Sequence, residues 1–219
     1  MNEDDVASFI QNNPEFFRRK PWLLGSIELP DPHDGRAISL AERQTQILRE
    51  RIRSLEDSLA ELTRNGRDND ALGEALGRWS AALLAERDDA RLPQRIVDGL
   101  KEVFAVPAAA LRIWEFEPRF AALECTAPAG ADVVRFVASM QAPFCGPNAD
   151  FAVADWMKAD TAGVRSLALI PLRTAPGAAP FGLLTLGSND ADRFRSDMGT
   201  TFLGRIGQLA AAALSRLRG

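Results

Sequence analysis

The chain of 219 residues contains few cysteines and histidines, the side chains that most often hold zinc. Its two cysteines, Cys125 and Cys145, lie far apart and form no CxxC pair, and its one histidine is His33. A zinc site built from cysteine and histidine needs more ligands at closer spacing. We therefore expect two partly buried thiols in a reducing compartment, with no metal and no cofactor. A catalytic triad would have to recruit His33, and no glycine-rich phosphate loop occurs, so we expect no enzyme.

Long apolar runs and blocks of basic residues are also absent. The apolar run Leu167–Leu172 is far shorter than the roughly 20 residues that a membrane span requires. The first charged residues are acidic, Glu3, Asp4 and Asp5, whereas a signal peptide starts with positive charges. The formal net charge is -4 and both signs are mixed along the chain, so nothing predicts binding to nucleic acid. We expect a cytoplasmic protein that binds neither nucleic acid nor a membrane.

Residues 1–37 are predicted to form an N-terminal helical hairpin and linker. Residues 2–13 have helical periodicity with Asn2 as the cap, and Pro14 ends this helix and opens the next turn. An apolar cluster follows, made of Phe16, Phe17, Trp22, Leu23, Leu24 and Ile27. This cluster indicates a small hairpin packed on another surface, and the alternative is a partner-binding face. Proline and glycine in residues 28–37 predict a loop.

Residues 38–67 are predicted to form a coiled-coil helix that begins at a capping box, Ser39 to Glu42. Apolar side chains alternate at spacings of four and three. Position a is held by Thr45, Ile52 and Leu59, and position d by Ala41, Leu48, Leu55 and Leu62. Isoleucine at a with leucine at d favours two parallel strands, and a parallel dimer would bring Arg51 near Glu56 of the other chain. The alternative is a helix that packs this stripe on its own domain.

A polar stretch around Gly66 interrupts the apolar stripe, which resumes from Leu72. Glycine costs a helix about 1 kcal/mol relative to alanine. We interpret residues 39–86 as one long helix with a weak joint, and the alternative is two helices broken at Gly66. Glycine and serine at the later a positions, Gly73 and Ser80, would weaken a coiled coil there.

Residues 68–219 are predicted to form a domain of mixed helices and strands, including its N-terminal helix. An amphipathic helix begins near Pro93. Strands are expected at Ala108–Phe116, Ala121–Cys125, Ser166–Leu172 and Phe181–Leu186, with a helix at 131–140 and a loop containing Cys145 between the second and third strands. A last helix is expected from about Asp197, capped by Ser196, to Leu217. This order predicts an α+β fold, an antiparallel sheet flanked by helices.

Three stretches of the sequence resemble a known family. They are ISLAERQTQILRERIRSLEDSL at residues 38–59, LALIPLRTAPGAAPFGLLTLGSNDADRFRSDMGTTFLGRIG at residues 167–207, and the N-terminal NPEFF followed by WLL and LPDPHDGRAISL. All three are similar to DUF484, a family of uncharacterised bacterial proteins. The resemblance implies a GAF-like C-terminal domain behind a helical N-terminal arm. It implies no activity.

GAF domains bind cyclic nucleotides, tetrapyrroles, haem or small metabolites, or they only dimerise. The cyclic-nucleotide signature of some members is only partly present, because Asn189, Phe194 and Asp197 match while Asp190 and Met198 replace the lysine and the last acid. Attachment of a bilin and ligation of haem both need a histidine in the domain, and none follows His33. A cyclic nucleotide, a bilin and haem are therefore not expected.

If this chain has a ligand site, the resemblance implies that it lies under the segment between the second and third strands. Candidate lining residues are Phe144, Cys145, Phe151, Asp155, Trp156 and Arg165. Arg165 precedes an apolar strand, where its guanidinium could meet an anionic ligand. The alternatives are a solvated strand end or a salt bridge to Asp155 or Asp160.

We interpret the protein as a non-enzymatic regulatory or sensory homodimer that binds a small molecule or a protein partner through its GAF-like domain. The dimer interface is expected at Thr45, Leu48, Ile52, Leu55, Leu59 and Leu62. The alternative is a structural adaptor whose GAF-like pocket is filled by its own side chains and which acts only through protein contacts. A sensor should have convergent polar groups in an open cavity between the sheet and residues 144–156, and an adaptor should have apolar packing there.

Overall fold

A computed structural model describes residues 2–30, 37–149, 151–157, 163–197 and 199–218, with the backbone alone at 24, 25, 28–30 and 37–42. By internal packing the chain divides into two compact units, residues 1–68 and 69–219, which we describe separately.

The first unit begins with three short helices, α1 (Glu3–Asn12), α2 (Glu15–Arg19) and α3 (Trp22–Ser26). Asn2 caps α1 as predicted: its side chain accepts from the Asp4 amide, and the Asp5 carboxylate accepts from the Asn2 amide in return. The Phe9 and Phe16 rings meet edge to face at 5.7 Å, so the end of α1 packs on α2. The N-terminal arm is therefore helical, although the helices after Pro14 are only one turn long.

The predicted loop at 28–37 is partly wrong. Two short strands, β1 (Glu28–Pro30) and β2 (Ala37–Ser39), pair antiparallel with Leu29 opposite Ile38. Turn-forming residues predicted the connection but not the pairing on either side of it. His33 lies outside the described residues, and the side chains of the Ser39–Glu42 capping box do as well.

Helix α4 (Leu40–Ala85) is a single unbroken helix of 46 residues. The prediction of one long helix is confirmed, and the alternative of a break at Gly66 is wrong. A Cβ at Gly66 would have no neighbour within 4 Å, so the glycine is not required by packing. The boundary between the two compact units falls inside this helix, after Asp68.

The second unit is built on a four-stranded sheet, made of β3 (Ala108–Ile113), β4 (Phe144–Pro147), β5 (Ser166–Leu172) and β6 (Gly182–Ser188). The strand order is β3-β6-β5-β4, and every pair is antiparallel. Three further helices flank the sheet: α5 (Leu92–Val103), α6 (Ala131–Ser139) and α7 (Thr201–Leu214). The predicted fold class, an α+β fold with a GAF-like antiparallel sheet flanked by helices, is confirmed.

Three predicted elements of this unit need correction. The run 121–125 forms no strand; the described backbone there makes 3-10 turns at Pro118–Phe120 and Glu124–Thr126, and the Thr126 hydroxyl donates to the Leu123 carbonyl at 2.7 Å. The segment around Cys145, predicted as a loop, is strand β4. Helix α7 begins at Thr201 rather than Asp197.

The two faces of the sheet are covered differently. On one face, which we call the helix face, α5 and α7 pack on alternate strand residues, and Trp79 and Leu83 of α4 join the same core. A Cβ at Gly207 of α7 would lie 2.6 Å from the Ile170 side chain, so this helix lies directly against β5. The opposite face, the loop face, is covered by α6 and the 3-10 segment Ala152–Trp156.

Candidate functional site

The predicted ligand site divides between the two faces of the sheet. Phe144 pairs with Leu169 and therefore lies on the loop face, whereas Cys145 pairs with Ala168 and is buried in the core of the helix face. A strand alternates its side chains between faces, so adjacent residues of β4 cannot line one pocket. Phe151 and Trp156 lie on the loop face with Phe144, and the Phe144 and Phe151 rings are 5.8 Å apart.

The loop face between these aromatic residues is occupied by apolar side chains. The buried members of this cluster are Val137, Met140, Val153, Leu167, Leu169 and Leu183. A Cβ at Gly187 would lie only 2.8 Å from the Met157 sulfur, so Met157 packs directly on the sheet. Among the described residues, the buried polar side chain at the centre of this face is Thr185, whose hydroxyl donates to the Ala110 carbonyl at 3.2 Å.

The two charged candidates lie at the periphery. Asp155 and Arg165 are both exposed. The backbone of Arg165 is fixed, because its amide donates to the Ser188 carbonyl at 2.8 Å and its own carbonyl accepts from the Asn148 amide at 2.9 Å. Asp160, an alternative ion-pair partner for Arg165, lies outside the described residues. The structure thus groups the aromatic candidates and separates them from Cys145.

A cavity that the sequence analysis did not predict lies at the β3 edge of the sheet. Its volume is about 160 Å³, and its walls come from α5, from β3, from the 3-10 turn at Glu124–Cys125 and from Trp156. Arg112 of β3 lines it and is only 8% exposed. The sequence does carry a signal for this residue, because Arg112 is a lone charge inside the apolar run Ala108–Trp114.

Two contacts fix the Arg112 guanidinium. Its Nη1 donates to the Leu111 carbonyl at 3.1 Å, and its central carbon lies 5.5 Å from the centre of the Trp156 ring. Its Nε is buried without a hydrogen-bond partner. Cys125 lines the same cavity, and burial raises the pKa of its thiol to about 11 although the Arg112 charge opposes the rise. Burial also raises the pKa of the Cys145 thiol.

The predicted dimer residues lie along one stripe of α4. Leu48, Ile52, Leu55, Leu59 and Leu62 are each 53% to 68% exposed, and Thr45 is exposed as well. We call these six residues the seam. Leucine and isoleucine at helical spacing with this exposure form an apolar surface on the first unit.

Two other kinds of site are absent from the described part of the chain. No group of three or more His, Cys, Asp or Glu side chains is placed to hold a metal ion. None of the helices there combines the length and apolar character that crossing a bilayer demands.

Comparison with known proteins gave one family and several solved structures. Residues 1–218 match the family described as "Protein of unknown function, DUF484". A comparison with curated proteins found no match. The chain is similar to the GAF domain of a putative sensor histidine kinase from Pseudomonas syringae pv. tomato, at 17% identity and a TM-score of 0.45 over 70% of this chain and 91% of that one.

Two further solved structures are similar over a comparable length. The GAF domain of a phosphoenolpyruvate-protein phosphotransferase from Coxiella burnetii is 12% identical, with a TM-score of 0.49 over 67% of this chain and 94% of that one. The free methionine-R-sulfoxide reductase from Neisseria meningitidis, solved in complex with its substrate, is 19% identical, with a TM-score of 0.47 over 67% and 90%.

Proposed function

We propose, from the premise that this chain belongs to the DUF484 family, that it is a non-enzymatic regulatory homodimer in which two α4 helices form a parallel coiled coil carrying two GAF-like domains. The observation that carries the proposal is the exposed seam. Leaving such a stripe in water is unfavourable, because each buried leucine or isoleucine side chain stabilises by about 1.5–3 kcal/mol relative to an exposed one.

A second copy of this chain is the partner that fits the seam best. The alternation of four and three residues brings a and d side chains of two identical helices into register. Arg51 and Glu56 flank the seam at positions g and e, where a parallel partner would pair them across the interface. A helix that packed on its own domain would not leave five large apolar side chains more than half exposed.

We propose that the protein has no catalytic role because its two thiols are poorly suited to act as nucleophiles. The thiolate is the reactive form of cysteine, and burial raises the pKa of both Cys125 and Cys145. Both are free thiols in the structure, which agrees with a reducing, cytoplasmic location.

The apolar packing of the loop face favours protein contacts over a small molecule in the pocket that the resemblance implied. A small-molecule site combines an opening with a few convergent polar groups. Here the space beneath Phe144 and Trp156 is filled by the protein's own side chains. For this face we therefore favour the alternative of an adaptor whose pocket is filled by its own side chains. A protein partner would then contact the outer surface of the domain.

The seam is tested by placing charge inside it. The variant Ile52→Asp with Leu55→Asp puts four carboxylates into the centre of the dimer, and we expect a monomer in sedimentation equilibrium at concentrations where the natural chain is a dimer. The matched control is Ser54→Asp with Ala60→Asp, which adds the same charges to α4 at positions c and b, away from the seam. The control should keep the dimer mass.

Circular dichroism separates loss of dimer from loss of helix. A dimer that persists in the Ile52/Leu55 variant would move the interface away from α4 and contradict the proposal. Loss of the dimer in both variants would mean that added charge acts on the helix itself. The proposal that the seam is the dimer interface would then be wrong.

A further inference from the structure

Arg112 is a buried charge whose Nε has no hydrogen-bond partner. Its Nη1 donates to a backbone carbonyl, so the guanidinium is held in place, while its Nε is buried without an acceptor. Buried polar atoms are nearly always hydrogen-bonded, and a buried charge without compensation is costly. The Arg112 side chain lines a cavity of about 160 Å³.

The described neighbours compensate the charge only in part. The face of the Trp156 ring attracts the guanidinium but accepts no in-plane hydrogen bond. The Cys125 thiol would supply a negative charge as a thiolate, yet its pKa of about 11 keeps it neutral at physiological pH. The Leu111 carbonyl is a neutral acceptor and is already engaged by Nη1. A ligand with a negatively charged oxygen would neutralise the Arg112 charge and accept a hydrogen bond from Nε.

We infer that this cavity binds the carboxylate or phosphate group of a small anionic ligand, with Arg112 as its anchor. The ligand oxygen would accept from the unpartnered Nε–H, since a hydrogen bond between a guanidinium and an oxyanion is roughly twice as strong as one between neutral groups. The inference concerns the second unit alone and does not depend on dimerisation.

The walls of the cavity restrict the ligand further. Ala90, Pro93 and Val97 supply an apolar side, which favours a short hydrocarbon part. Arg112 is the one cationic side chain among the described residues that line the cavity. A small acid with one charged group therefore fits better than a polyanion.

The failure of residues 121–125 to form a strand explains why the cavity exists. Strand β3 lies at an edge of the described sheet, next to the 3-10 turns of 118–126. A regular strand would pair closely along this edge, whereas the turns leave space between α5 and the sheet. The cavity meets the loop face at Trp156, which belongs to both, but it lies at the β3 edge of the sheet rather than beneath Phe144 and Phe151.

The test uses the chain of 219 residues and two probes, sodium propionate and sodium phosphate, each compared with sodium chloride at the same ionic strength. We expect a saturable rise in melting temperature with at least one probe at millimolar concentrations. Propionate acting alone would identify a carboxylate ligand, and phosphate acting alone a phosphate group. If neither probe raises the melting temperature above the chloride control, the inference is wrong.

Variants of Arg112 decide whether the response belongs to this site. Arg112→Lys keeps the positive charge but lacks the Nε donor, and we expect the apparent affinity to fall at least about tenfold. The matched control is Arg193→Met. Arg193 also lies over a ring, that of Phe194 at 5.8 Å, and donates to the Phe104 carbonyl at 2.9 Å, but it does not line the cavity. The Arg193→Met variant should show the same rise in melting temperature with the probes as the natural chain.

A spectroscopic measurement keeps the test decisive if Arg112 variants fold poorly. In ¹H–¹⁵N spectra of the natural chain, the Arg112 Nε–H resonance should move on titration with the active probe, and Trp156→Phe, which retains a ring, should preserve that shift. An unmoved Nε–H resonance under a probe that raises the melting temperature would place binding elsewhere and overturn the assignment to Arg112.

Discussion

At the scale of single residues, the contact between α5 and α4 depends on the absence of a side chain at Gly99. A Cβ at this position would lie 2.4 Å from Cδ1 and 2.6 Å from Nε1 of the Trp79 ring. Trp79 is only 1% exposed and its ring meets Phe104 edge to face at 6.1 Å, so it has no room to retreat. Gly77 offers the opposite case, since a Cβ there would meet nothing within 4 Å.

These two glycines give a matched prediction. Gly99→Ala should lower the free energy of unfolding of the second unit by about 1–3 kcal/mol, because overpacking outweighs the better helix propensity of alanine. Gly77→Ala should raise it by up to about 1 kcal/mol, because only the propensity changes. Urea denaturation followed by tryptophan fluorescence measures both. Equal stabilisation by the two substitutions would show that the Trp79 contact is looser than described.

Arg165 and Arg112 differ in how well the sequence predicts their surroundings. Arg165 precedes an apolar strand, which predicts a ligand contact or a solvated strand end, and the structure leaves it exposed. Arg112 sits inside an apolar strand, where a charge is unusual, and it is buried beside a cavity. The sequence predicts that Arg112 lies within a strand. It does not predict the burial of Arg112, because that depends on tertiary packing at the edge of the sheet.

Among the elements, the long amphipathic pattern and the continuous apolar run were predicted better than short mixed segments. Helix α4 is expected at 39–86 and spans Leu40–Ala85, and the apolar run of β5 has the predicted bounds Ser166–Leu172. The five residues 121–125 were too few for alternation to distinguish a strand from 3-10 turns. Strand β4 was missed because its glycine and proline indicate a loop, whereas its pairing with β5 is a tertiary interaction that local sequence does not encode.

The direction of the proposed coiled coil is a property of α4 and can be tested by exchanging charges. Arg51→Glu should weaken the dimer roughly fivefold, because it would face Glu56 of a parallel partner at both sides of the interface. The double variant Arg51→Glu with Glu56→Arg should regain the original affinity. Sedimentation velocity over a dilution series measures each dissociation constant, and the differences should shrink in about 0.5 M salt through screening.

An antiparallel pair would behave differently. It would place g beside g and e beside e, so the double variant would not recover the lost affinity. The charge exchange therefore tests orientation separately from the existence of the seam.

For the molecule as a whole, the C-terminal part of α4, from Ala75 onward, belongs to the core of the second unit. Ala75, Trp79 and Leu83 are buried, and Trp79 and Leu83 pack with Leu92 and Ile96. The chain just after α4 is also tied to the C-terminus, since Arg216 donates to the Glu86 carbonyl at 2.9 Å and pairs with Asp89 at 2.6 Å. The predicted domain bounds 1–37, 38–67 and 68–219 can therefore be tested by where the chain is cut.

A fragment of residues 69–219 should unfold in one cooperative transition, because it keeps the buried part of α4. A fragment of residues 88–219 removes Trp79, and losing a buried tryptophan costs about 3–5 kcal/mol out of a total stability of about 5–15 kcal/mol for a typical domain. We expect this shorter fragment to melt without a sharp transition and to bind a hydrophobic dye. Calorimetry and dye fluorescence distinguish the two fragments. Cooperative unfolding of 88–219 would show that the sheet and its helices need nothing from α4, and the unit would then begin after the long helix rather than within it.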